Sequence, residues 1–81
     1  MTQAEINITI LHILKMSSGH LLHEERVREH ADVNVKPRPS DEQFQLALTT
    51  LKDHGFADVE EDPLRGRLWF MTEKGRVYLK A

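Results

Sequence analysis

The sequence contains no cysteine, which excludes a disulfide framework and any thiolate zinc site. A small domain without such staples depends on apolar packing or on a partner subunit. Long apolar runs are also missing, and none approaches the length that spans a bilayer, so no membrane partner is expected. The first twenty residues carry no basic stretch ahead of an apolar one, and Glu5 interrupts them, which argues against a secretory signal. A cytoplasmic location is the resulting expectation. No glycine-rich phosphate loop, no internal repeat and no low-complexity segment occurs.

What is present is one short chain of 81 residues, read as a single domain over 1–81. A chain of this size buries only about 60–65% of the surface its unfolded form exposes, so its core is modest. The net charge of −2 is unevenly spread. Residues 1–20 and 21–39 each balance, whereas residues 40–61 hold six acids against Lys52 and residues 62–81 hold five bases against Asp62 and Glu73.

Hydrophobic spacing divides the chain into elements. In AEINITILHILKM (4–16), Ile6, Ile10, Ile13 and Leu14 fall in one arc of about 100°, which predicts a helix despite the β-branched isoleucines. Ile8 and Leu11 lie on its other side. They mark either a helix wedged between two parts of the core or a second apolar face that meets another subunit. Ser17 to Gly19 should end this helix, with Gly19 as a left-handed exit. A short extended piece follows at 20–22. A second helix is expected over 23–33, with anions at its start and a Leu22–Val27 staple around His23. Two prolines in NVKPRP (34–39) enforce a connector.

The clearest helix spans 40–55: Ser40 and Gln43 form a capping box, Phe44, Ala47, Leu48 and Leu51 share a face, and Gly55 closes it. Residues 56–62 read as a strand, 63–66 as a turn and 67–71 as the return strand. A last helix over 72–81 has Thr72 as its N-cap. Gly75 within it is explicable if something packs against its backbone. The expected core is Ile10, Leu14, Val27, Phe44, Leu48, Leu51, Phe56 and Trp69, with Trp69 or Phe70 inward but not both, because strand neighbours face opposite ways.

This order of elements, and the stretches ALTTLKDHGFADVEED (47–62) and RLWFMTEKGRVYL (67–79), resemble the winged helix-turn-helix superfamily, in the manner of its small bacterial regulators. The likeness covers nearly the whole chain. Its marks are Leu51 followed by three polar residues, Gly55 and Phe56, and a return strand running into Thr72, two polar residues and Gly75. The resemblance implies an α+β, mostly α fold of three to four helices with a small antiparallel β-hairpin wing. It also implies a recognition helix at 40–55, a supporting helix at 23–31 and a wing at 62–68.

On that reading the chain is a small transcriptional regulator binding double-stranded DNA, with homodimerisation as a further expectation. The exposed face of 40–55 offers Gln43, Gln45 and Thr49 as base readers, with Lys52 at its margin. Arg65 and Arg67 of the wing, with Lys36 and Arg38 of the connector, are the candidate backbone contacts. Asp41 and Glu42 oppose this, because DNA affinity rests largely on neutralising phosphates. The competing class is a non-catalytic protein-interaction or dimerisation module, with Ile8, Leu11 and Leu46 as its candidate contacts. The two classes separate on whether Arg26, Arg28, Lys36, Arg65 and Arg67 share a face with Gln45. Catalysis is not expected of so small a domain. Of the five histidines, His20 and His23 have a spacing that could supply two ligands, but no fourfold zinc set is visible, so no metal or other cofactor is expected.

Overall fold

The computed structural model describes residues 2–17 and 20–80, and the expected Gly19 exit lies outside the described residues. The architecture is α+β and mostly α: helix α1 (Gln3–Met16), strand β1 (Leu22–His23), helices α2 (Glu24–Asn34) and α3 (Asp41–Asp53), strands β2 (Ala57–Asp62) and β3 (Gly66–Met71), and helix α4 (Glu73–Lys80). The three strands form one antiparallel sheet in the order β1-β3-β2. Thus the hairpin's return strand is central, and the two-residue β1 closes its far edge through Leu22↔Trp69 and His23↔Leu68.

Local chemistry accounts for the boundaries. Thr2 and Glu5 close a capping box on α1, and Ser40 and Gln43 close one on α3. Gly55 takes φ +76°, a left-handed exit from α3. Six irregular residues, 35–40, join α2 to α3, and Pro39 within them is fully buried. Thr72 Oγ1 accepts from the Gly75 amide (3.1 Å) and donates to the Gly55 carbonyl (2.5 Å), so one hydroxyl starts α4 and fastens it to the end of α3. A Cβ on Gly75 would overlap the Phe56 carbonyl oxygen, which is the close approach that its glycine implied.

The core joins α1, α2, α3 and the inner face of the sheet. Ile10, Leu14, Val27, Phe44, Leu48, Leu51 and Trp69 are all buried, and Phe56 is half-buried against the same cluster. Trp69 points inward while Phe70 is half-buried, as strand alternation requires. Leu68 is nonetheless 2% exposed on the opposite face, since the central strand has neighbours on both sides at its position, His23 and Glu60.

The two readings of the second face of α1 separate at Leu11, which is 0% exposed: it belongs to a helix wedged within the core, and its candidacy as an interface contact is corrected. The physical reason is that α1 packs against α2, α3, β3 and α4, so its covered arc is wider than its strongest stripe. Ile8 is half-buried and walls a groove of about 190 Å³ between α1, α3 and α4, whose lining includes Leu11, Phe56 and Tyr78.

Candidate nucleic-acid interface

The exposed side of α3 carries Glu42, Gln45, Leu46, Thr49, Lys52 and Asp53 in solvent. Its opposite side is anchored by Phe44, Ala47, Leu48 and Leu51, so the helix is held as a fixed rod. Gln43, also exposed, is committed to the cap: its Oε1 accepts from the Ser40 amide at 2.9 Å, and its own carbonyl accepts from Gln3 Nε2 at 3.0 Å. That leaves Gln45 and Thr49 as the uncommitted polar readers of the expected set.

The hairpin and α3 meet at one carboxylate. Glu24, the first residue of α2, accepts from Trp69 Nε1 (2.9 Å), pairs with Arg67 Nε (3.4 Å) and lies 3.5 Å from Gln45 Nε2. Trp69 is buried, so its indole N–H requires such a partner. The guanidinium of Arg67 also lies over the Trp69 ring, at 5.6 Å. Glu24 therefore ties the start of α2 to the hairpin through Trp69 and Arg67, and only approaches α3 at Gln45. The sequence pattern marked Glu24 only as an anion at a helix start; no local signal reveals partners so distant in the chain.

Two shallow hollows flank this carboxylate. One, of about 250 Å³, is lined by His23, Glu24, Glu25, Arg65, Gly66 and Arg67. The other, of about 190 Å³, is lined by Glu24, Glu25, Arg28, Phe44 and Gln45. Together they make a trough running from the hairpin turn to α3. Of the five cations whose placement beside Gln45 separates the two classes, Arg28, Arg65 and Arg67 line these hollows, whereas Arg26, paired with Glu29, and Lys36, bonded to the Asp32 carbonyl, do not. The lining holds three guanidiniums against Glu24 and Glu25, but Asp32 and Asp41 pair with Arg28 and Asp62 pairs with Arg65, so the trough carries no net positive charge.

Arg28 also joins the connector cations Lys36 and Arg38 around one acid. Arg28 donates to Asp32 (3.0 Å), Asp41 (2.8 Å) and the Pro39 carbonyl (2.9 Å), and its guanidinium stands 5.1 Å over the Phe44 ring. Burial by itself would pull the Arg28 pKa down, but the hydrogen bonds and charges of Asp32 and Asp41 outweigh it and raise the pKa above its ordinary value. Arg38 pairs with Asp32 at 3.4 Å, and Lys36 Nζ donates to the Asp32 carbonyl at 3.2 Å. Asp32 is thus the organising acid of the connector, as Glu24 is of the trough.

At the hairpin tip, Asp62 Oδ1 accepts from the amides of Leu64 (2.8 Å) and Arg65 (3.0 Å). Those amide bonds are the main cause holding the Asp62 carboxyl below its ordinary pKa; desolvation opposes them, and the Arg65 side chain adds a lesser lowering. Arg65 also pairs with Asp62 at 3.3 Å. Leu46, the third expected interface residue, is 52% exposed on α3 and does not line the groove that Ile8 walls.

Among the described residues no group of three or more His, Cys, Asp or Glu could hold a metal ion, and no helix is long and apolar enough to cross a membrane. Compared with known proteins, the chain matches no family model, no curated protein and no solved structure.

Proposed function

We propose that this chain is a small winged-helix DNA-binding protein of the regulator type, reading duplex DNA with α3 and steadying it with the hairpin as a wing. The element order and the β1-β3-β2 sheet, with the hairpin directly after α3, support the winged-helix reading. The observation that carries the functional reading is the shared trough: Arg28, Arg65 and Arg67 lie on one face with Gln45.

The pairing of Arg65 and Arg67 does not block phosphate contact, whereas Arg28, 20% exposed, stays bonded to Asp32, Asp41 and Pro39. Exposed ion pairs are worth roughly 0–1 kcal/mol, so exchange of a carboxylate for a phosphate is inexpensive. Asp62 retains two amide donors when Arg65 leaves, and Glu24 retains the Trp69 N–H when Arg67 leaves. Neither acid is orphaned. Asp41 is itself paired with Arg28, which leaves Glu42 as the acid at the start of α3 that opposes a phosphate.

The test is fluorescence anisotropy on a mixed pool of duplex DNA at about 50 and 200 mM salt, with light scattering on the same sample. The reading expects binding at the lower concentration that falls as salt rises. Absence of binding at low salt removes it. A second reading, a protein-interaction or dimerisation module, is favoured by one observation: all six arginines of the chain stand in ion pairs with acids, while Met16, Val33, Leu46 and Leu64 are exposed apolar side chains. A dimer in the scattering without DNA binding supports that reading.

A further inference from the structure

We infer that α3 is built to read A·T pairs through the major groove, with Gln45 on an adenine edge and Leu46 and Thr49 on thymine C5-methyl groups. The inference rests on the DNA-binding reading above and names the base chemistry of its ligand.

Four apolar residues of α3, Phe44, Ala47, Leu48 and Leu51, are buried, while Leu46 alone stands in solvent at 52% exposure on the outward side. Gln45 and Thr49 are four apart and exposed, so they stand one above the other on the helix, with Leu46 beside them. The carboxamide of Gln45 is lightly held, by a 3.5 Å hydrogen bond to Glu24 at the long end of the range. A free carboxamide matches adenine N7 and N6 with one donor and one acceptor. The thymine methyl is the one apolar group on a major-groove base edge, and it lies on the strand opposite the adenine that Gln45 would read.

An apolar residue and a hydroxyl-plus-methyl residue beside an adenine reader therefore complement A·T steps. Glu42, one turn before Leu46 on the same helix, adds discrimination against phosphate-only contact. A minor-groove reader of A·T tracts would not sense the methyl at all, since both A·T orientations show only acceptors there.

Removing that methyl tests the inference directly. Two otherwise identical mixed pools of duplexes of about 20 base pairs, two helical turns, are titrated by anisotropy, one with thymine and one with deoxyuridine throughout. The uracil pool should bind more weakly, by about fourfold for each methyl group that the protein covers. The ratio should shrink in Leu46→Ala and in Thr49→Ser, which alter exposed side chains outside the core and leave the thermal transition in place. Equal affinity for both pools overturns the inference while the DNA-binding reading stands. A difference that persists unchanged in both variants overturns the assignment to Leu46 and Thr49. No binding to either pool overturns the inference and the reading together.

Discussion

Leu11 sits on the side of α1 away from its strongest apolar stripe, and it is nevertheless fully buried. An interface residue would tolerate truncation in the isolated protein; a core residue would not. Leu11→Ala should therefore lower unfolding free energy by about 2–5 kcal/mol in chemical denaturation, and a change within about 0.5 kcal/mol would return Leu11 to the surface. Asp62 acts through charge at the hairpin tip. Its folded pKa lies below the ordinary 3.8, so its contribution to stability is complete above the unfolded value and is lost as pH falls through the folded one. Asp62→Asn keeps the acceptor oxygen and removes the charge. The Tm gap between wild type and Asp62→Asn should hold from about pH 7 to 5 and close below about pH 4. A gap independent of pH would place the effect in shape rather than in ionisation.

At the scale of elements, α2, the connector and α3 are joined by Arg28, whose side chain is only 20% exposed while it reaches Asp32, Pro39 and Asp41. Arg28→Ala removes charge-assisted bonds on both helices and uncovers Phe44, and should cost about 1–3 kcal/mol in thermal or chemical unfolding. An unchanged Tm would make the bridge ornamental. On α3 itself, Glu42 in the first turn opposes an approaching phosphate. Glu42→Gln should raise affinity for mixed duplex DNA by about threefold, the effect of one charge at roughly 7 Å in water; weaker or unchanged binding would mean that this end of α3 does not face the duplex.

The helices themselves were legible, because periodic apolar residues and paired caps such as Ser40–Gln43 act over one or two turns and leave a local record. Observed ends differ by a residue or two from expectation: α2 begins at Glu24 with His23 outside it, β1 reaches His23, and β3 starts at Gly66. Which of the two readings of Leu11 holds was not legible, since which sides of a helix are covered depends on elements that arrive from elsewhere in the chain. Nor was the trough, because it is organised by Glu24 contacts spanning 21 to 45 residues. Gln43 shows the converse, a residue readable both as a base reader and as a cap, whose hydrogen bonds assign it to the cap.

For the molecule as a whole, the question is whether a chain with net charge −2 presents a face that DNA accepts. On the proposed reading the trough would do so through arrangement rather than total: the carboxylates that hold Arg65 and Arg67 have other donors, so both guanidiniums can turn to phosphate without orphaning an acid. The most direct measurement is the slope of log affinity against log salt for wild type and for the double variant Arg65→Ala with Arg67→Ala. Two lost phosphate contacts should make the slope shallower by about 2. A wild-type slope that the double variant leaves unchanged, or a wild type that does not bind duplex DNA at low salt, would contradict the account.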